Sequence, residues 1–195
     1  EDPDPRVASV ARLLFSELSR KHGNPIYNLL PDLLSRLSGD ETVAPPAFQR
    51  IMTRLLRFID KDRQTESLAD KFTARFTEAA LASTAKPARD IAFCLSQLAL
   101  SDKAFKKFLE SWKLYEPALY DKEVYVALCA VVAKGKKSVG GGKKDKDKES
   151  AGGEGNAAKQ VVEEFEAKMA AAHTERYESY RALRRAEGLT VDDTD

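Results

Sequence analysis

The sequence has few of the residues that build disulfide frameworks or metal sites: two cysteines and two histidines among 195 residues. Cys94 and Cys129 each lie inside an apolar helical pattern, so we predict two buried thiols in a reducing compartment and no disulfide. His22 and His173 have no cysteine, histidine or carboxylate at ligand spacing, which argues against a zinc site. We therefore expect no metal and no other cofactor.

A long apolar run and a strong net charge are also missing. Without a run of about 18 apolar residues, no membrane span and no membrane partner are predicted. The formal net charge is only +1, so contact with nucleic acid would have to come from local basic patches. The acidic residues 1–5 do not resemble a signal peptide. We interpret the missing initiator methionine as a sign that the chain is a piece of a longer protein.

Catalytic motifs are absent as well. The glycines at 140–142 lack the strand-to-helix context of a phosphate-binding loop. Glu163, Glu164 and Glu166 lie together on a polar helix face, whereas paired catalytic acids need a cleft. Cys94 has no histidine in its pattern that would activate it as a nucleophile. We therefore predict that the chain is not an enzyme.

What the sequence does contain is a repeat of amphipathic helix pairs. The pairs begin near Val7, Pro46, Ala88 and Lys122, at intervals of about 40 residues, which is the period of HEAT or armadillo units. One hairpin cannot bury its apolar face alone, whereas stacked hairpins form a curved surface whose usual work is binding. The pattern predicts an all-α HEAT-repeat α-solenoid of about four antiparallel helix pairs.

The composition divides the chain into four parts. Residues 1–133 carry the HEAT-type hairpins, and in the first helix Val10, Leu13, Leu14 and Leu18 are predicted to face inward. Residues 134–156 are rich in lysine and glycine, cannot offset their ordering entropy and are predicted to form a flexible loop. Residues 157–187 form a long C-terminal helix packed on the array, and 188–195 an acidic tail.

Two basic patches are candidate DNA-binding surfaces. The first consists of flexible lysines that would bind phosphates as movable charges, namely Lys134, Lys136, Lys137, Lys143, Lys144, Lys146 and Lys148. The second is Arg50, Arg54 and Arg57, whose spacing of four and three places them on one helix face. The alternatives stay open at this point: a solvated linker for the lysines and an ordinary polar face for the arginines.

Protein docking is the other kind of site that the sequence indicates. Tyrosine is a favoured anchor at protein interfaces, and Tyr27, followed by Asn28 at a hairpin edge, is the residue that we expect to dock a partner. Asp32 belongs to the same segment. For the similar aromatics near helix ends, Trp112, Tyr115 and Tyr120, core or inter-repeat packing is the expected role.

Three segments carry a family resemblance: NPIYNLLPD at 24–32, KDRQTESL at 61–68 and RDIAFCLS at 89–96. In this order and spacing they closely resemble the C-terminal HEAT region of the condensin complex subunit 1 family, the D-type regulatory subunits of condensin. The segment VEEFE at 162–166, followed by His173 and Thr174, is also similar to that family. The lysine-glycine segment is the part least like it.

The resemblance implies a non-catalytic regulatory subunit of condensin that acts in mitotic chromosome condensation. Its partners would be the kleisin subunit, the SMC ATPase subunits and double-stranded DNA bound without sequence preference. Its location would be the nucleus and the chromosome, and the cytoplasm for part of the cell cycle. Two alternatives remain, a protein-docking module or a solenoid cap with no DNA contact. A cap needs a polar outer face, which Lys159, Glu163, Glu166 and Arg176 would supply.

Overall fold

The computed structural model describes residues 4–22, 30, 33–34, 36–57, 59, 64–140 and 152–190. Its helices are α1 (Pro5–His22), α2 (Pro45–Leu56), α3 (Ala69–Ala79), α4 (Lys86–Gln97), α5 (Asp102–Glu110), α6 (Trp112–Tyr115), α7 (Lys122–Gly140) and α8 (Gly152–Ala186). A π-helical turn at Gln64–Leu68 leads into α3, and a 3₁₀ turn at Glu116–Ala118 follows α6. No strand occurs in these ranges. The all-α class is confirmed, while HEAT repeats as such stay a prediction.

The helices pack in two layers, and α3 of one layer also packs against α4 of the other. The first helices of three hairpins are neighbours, since α4 packs against both α2 and α7. The second helices form the other layer, in which α5 contacts the π-helical turn before α3, and Phe108 of α5 contacts Phe165 of α8. One continuous core runs between the layers, from Leu30 and Leu34 to Met169. This two-layer stack is an α-solenoid, as predicted.

Polar side chains fix where two of the helices begin. The Ser101 side chain accepts a hydrogen bond of 3.2 Å from the Ala104 N–H and so caps α5, as serine at this position is favoured to do. Asp121 accepts a bond of 3.0 Å from the Val124 N–H at the start of α7. The other oxygen of the same carboxylate, Oδ2, accepts hydrogen bonds from Nε and Nη2 of Arg89 at 2.8 and 2.6 Å. This ion pair connects the start of α7 to α4.

The predicted boundaries of the lysine-glycine loop are wrong at both ends. Helix α7 does not end at Ala133 but continues to Gly140, and α8 begins at Gly152. Tertiary contacts explain the extension of α7. Gly135 is buried against the ring of Phe105, and the Lys136 amine forms an ion pair with Glu166 of α8. These contacts offset the ordering cost that composition alone would leave unbalanced.

Replacing Gly135 by alanine should destabilise the protein although alanine is the better helix former. A Cβ at this position would lie 2.2 Å from Cε2 of Phe105. We expect the overpacking to lower the free energy of unfolding by about 1–3 kcal/mol, more than the gain of about 1 kcal/mol in helix propensity. Urea denaturation measures the difference. Phe105→Leu in the same background should recover part of the loss, and a G135A variant as stable as wild type would contradict the contact.

The first helix departs from the prediction in another way. Val10, Leu13 and Leu14, which the pattern placed inward, are 56%, 67% and 59% exposed, and Val7 is 49% exposed. The side chain of Leu18 lies outside the described residues. Periodicity identified an apolar face on α1 correctly, but the described part of the chain does not cover it. Within that part, no helix is both long and apolar enough to span a membrane.

Candidate nucleic-acid interface

An open groove runs between α2 and α4 on the layer of first helices. Its volume is about 610 Å³, and it is lined by Pro46, Gln49, Arg50, Thr53, Arg54, Arg57, Phe93 and Gln97. None of these lining residues, all within the described part of the chain, carries a carboxylate. Because three guanidinium groups share a concave surface without an acid among its lining residues, the groove is suited to an anionic ligand.

The local sequence explains why the arginines face this groove. Phe48, Met52 and Leu56 form the opposite face of α2 and are 0%, 0% and 4% exposed. With that face fixed in the core, Arg50 and Arg54 are turned outward, and both are exposed. With a helical rise of 1.5 Å per residue, the row from Arg50 to Arg57 is about 10.5 Å long along the helix axis. The groove therefore presents a row of charges and not a single point.

The arginines also have a structural role that competes with this interpretation. Arg54 lies in the last turn of α2, and Arg57 is its C-terminal cap residue. Positive side chains at this end of a helix interact favourably with the helix dipole, by about 0.3–1 kcal/mol. That role accounts for Arg54 and Arg57 but not for Arg50, which lies in the first half of the helix.

The structure gives the lysines different environments. The Lys134 amine donates to the carbonyl oxygen of Ser96 at the end of α4, and partial loss of hydration lowers the pKa of Lys134. The Lys136 amine is paired with Glu166, whereas Lys137 is exposed on the same helix. The other four lysines of the predicted set lie outside the described residues, namely Lys143, Lys144, Lys146 and Lys148. Two of the seven amines thus hold α7 against its neighbours.

The bond from Lys134 places the lysine-rich region relative to the groove. Its acceptor, Ser96, is the residue before Gln97, which lines the groove. From Lys134, α7 continues for six residues to Gly140, which is about 9 Å at 1.5 Å per residue. The described part of the lysine patch, from Lys134 to Lys137, therefore lies near the arginine groove at this end of α4.

The remaining candidate residues are those of the predicted docking segment and the two cysteines. Tyr27, Asn28 and Asp32 lie outside the described residues. Cys94 is buried and burial raises its pKa, which keeps the thiol protonated and unreactive. Cys129 is only half-buried, in contrast to the prediction, and desolvation raises its pKa too. The described residues contain no cluster of three or more metal-ligand side chains.

Sequence reasoning missed the α4 side of the groove. Neither Phe93 nor Gln97 was among the predicted site residues, yet both line the groove opposite the arginines. A spacing of four residues placed them on one face of α4, but nothing in the sequence indicated that this face lies beside α2. The contact between α2 and α4 forms this side of the groove, and only the folded structure shows it.

Comparison with known proteins finds relatives whose names agree with one another. Residues 1–96 match the profile of a family described as Cnd1, non-SMC mitotic condensation complex subunit 1. The chain is 38% identical over 183 residues to the Homo sapiens protein named condensin complex subunit 1, and this match covers 93% of the chain and 12% of the human protein. No solved structure matches the chain.

Two further relatives carry related names. The identity to condensin complex subunit 1 of Mus musculus is 40% over 174 residues, covering 89% of the chain and 11% of that protein. The identity to condensin-1 complex subunit CAP-D2 of Arabidopsis thaliana is 36% over 187 residues, covering 96% of the chain and 12% of that protein. The chain thus spans about an eighth of the length of the curated relatives that it matches.

Proposed function

Because this chain belongs to the condensin complex subunit 1 family, we propose that it is a segment of a non-catalytic regulatory subunit of a condensin complex. In this role it acts in mitotic chromosome condensation, in the nucleus and on chromosomes, and in the cytoplasm for part of the cell cycle. Its protein partners are the kleisin and SMC ATPase subunits, with Tyr27, Asn28 and Asp32 as docking residues. The identity over nearly the whole chain supports this proposal.

The segment's own contribution is to hold double-stranded DNA by its backbone. The observation that carries this proposal is the groove between α2 and α4, where Arg50, Arg54 and Arg57 share one wall without a carboxylate among the described lining residues. Guanidinium groups bind phosphate through paired N–H donors. Contacts to phosphate position a protein on DNA but carry no sequence information, so binding is independent of sequence.

The three guanidinium groups of the row can each pair with one phosphate. The row is about 10.5 Å long and therefore faces about three phosphates of the DNA backbone. Lys137, exposed near the end of α7, extends the basic surface from the α4 end of the groove, and Lys143, Lys144, Lys146 and Lys148 follow it in the sequence. Lys134 and Lys136 contribute less, because their amines hold α7 against α4 and α8.

Replacing all three groove arginines by glutamine should weaken binding of a short DNA duplex at low salt by at least tenfold. The physical reason is that even one lost charge-assisted hydrogen bond costs about 1.5 kcal/mol or more. Fluorescence anisotropy of a labelled duplex, titrated with the 195-residue chain, measures the change.

The matched control replaces Arg6, Arg12 and Arg20 of α1 by glutamine. It removes the same three charges from exposed helical positions outside the groove, so a loss caused by net charge alone would appear equally in both variants. Equal affinities for the groove variant and wild type would remove the groove from the account. Protein docking or solenoid capping would then be the segment's function, with DNA held elsewhere.

A further inference from the structure

Backbone binding leaves one wall of the groove without a function. Besides the arginines, the groove is lined by Phe93 and Gln97 of α4 and by Gln49 of α2. A duplex resting on the arginine row presents only phosphates and sugars to such a groove, because its bases are paired and stacked in its interior. An aromatic ring and two amides are the groups that contact unpaired bases.

Phe93 differs from the other phenylalanines of the described core. Phe48, Phe72, Phe76, Phe105, Phe108 and Phe165 are each at most 5% exposed. Phe93 is only partly buried and packs against that core from the groove side. Partial exposure of a single apolar side chain is common. The observation that carries the inference is its place, since the exposed part of this ring lines a groove with three arginines.

We propose that the groove binds a single nucleic-acid strand, with phosphates on Arg50, Arg54 and Arg57 and an unstacked base against Phe93. This proposal rests on the proposed function, since it uses the same arginines. Positively charged grooves that hold single strands combine backbone contacts with an aromatic platform on which any base can stack. The volume of about 610 Å³ lies within the range of about 300–1,000 Å³ typical of small-ligand pockets, so one unstacked nucleotide fits inside the groove, whereas a duplex rests on its arginine wall.

The amides add contacts that tolerate any base. A glutamine amide offers both donors and an acceptor, so it can pair with a base edge of either polarity. Gln97 lies one turn after Phe93 on α4, and its amide nitrogen donates to Oγ of Ser96 at 3.2 Å. This bond helps to hold the side chain at the same end of the groove. The α2 wall thus supplies the phosphate contacts, and the α4 wall supplies the base contact.

Replacing Phe93 by leucine should separate the two kinds of binding. We expect F93L to bind a single-stranded oligothymidine about tenfold more weakly than wild type, because one base–aromatic stack contributes a factor of this order. Its affinity for a duplex should not change. F93W should retain single-strand binding, since the indole ring also stacks. Anisotropy titrations at one salt concentration compare the three proteins, with circular dichroism and urea denaturation confirming that each is folded.

An abasic strand of equal length supplies the matched ligand control. It keeps the phosphates and removes the bases, so wild type and F93L should bind it equally. F93L could bind oligothymidine as tightly as wild type does, while the arginine variant binds neither oligothymidine nor duplex. In that case the groove contacts only the nucleic-acid backbone. The base contact is then overturned and the proposed function stands. If wild type binds neither single strand nor duplex, the proposed function itself fails.

Discussion

Replacing Asp90 by alanine is expected to lower the free energy of unfolding by about 3–5 kcal/mol. The Asp90 carboxylate lies 2.7 Å from the amine of Lys86, and the two side chains are only 4% and 10% exposed. The substitution leaves the lysine charge in the interior without this partner. Removing one member of a buried ion pair is costly for that reason, whatever the net contribution of the intact pair.

Asp90 has a second contact that adds to the expected loss. Its Oδ2 atom also accepts the N–H of Gly39 at 3.0 Å. Gly39 has φ of +77°, a left-handed conformation that glycine adopts without strain. The carboxylate therefore ties this turn to α4, and the D90A variant loses both the charge partner of Lys86 and the attachment of the turn.

An exposed pair of similar length is the control. Asp70 lies 2.6 Å from the Lys107 amine, but the two side chains are 57% and 61% exposed. Exposed pairs contribute about 0–1 kcal/mol, so D70A should change stability little. Urea denaturation of both variants gives the comparison, and a D90A variant no less stable than D70A would contradict the buried-pair interpretation. Replacing Lys86 by Met and Asp90 by Leu together should cost less than D90A alone.

Replacing Phe108 by alanine should produce the second large loss, about 3–5 kcal/mol. Phe108 is 4% exposed, and its ring centroid lies 4.9 Å from that of Tyr115 and 5.5 Å from that of Phe165. It joins α5 to α6 and to the long helix α8. Burial in this cluster raises the pKa of Tyr115 to about 12, and the substitution would open a cavity in an apolar region from which water is excluded.

The single tryptophan reports whether α8 loosens in the Phe108 variant. The Trp112 ring contacts the Phe165 ring edge-on, with centroids 5.6 Å apart. In F108A we expect its emission to shift to longer wavelength, together with a lower urea midpoint. Phe108→Leu, which keeps most of the volume, should cost much less. An F108A variant with wild-type emission and midpoint would show that the aromatic cluster does not hold α8.

The sequence predicts those parts of the fold that depend on contacts within a few residues. Helix periodicity and the serine cap of α5 are features of this kind, because both depend only on residues close in sequence. The extension of α7 was missed because Gly135 packs against Phe105 and Lys136 pairs with Glu166, both about 30 residues away. Glycine and lysine in a row indicate a loop by composition, and only the fold shows which of them have partners.

The same limit applies to α1 and to the groove. Periodicity shows that Val10 and Leu14 share an apolar face, but it does not show what covers that face, and in the structure both are exposed. In the groove, the spacing of Arg50, Arg54 and Arg57 on one helix could be predicted. The opposite wall of the groove could not be predicted, because Phe93 belongs to a helix that follows much later in the chain.

The most direct test of the account is the salt dependence of duplex binding by wild type and by the variant with all three groove arginines replaced by glutamine. Each neutralised phosphate contributes about −0.9 to the slope of log K against log salt concentration. If the groove faces about three phosphates, the slope should become shallower by about 2.7 in the variant. Equal slopes for the two proteins would contradict the claim that this groove holds DNA.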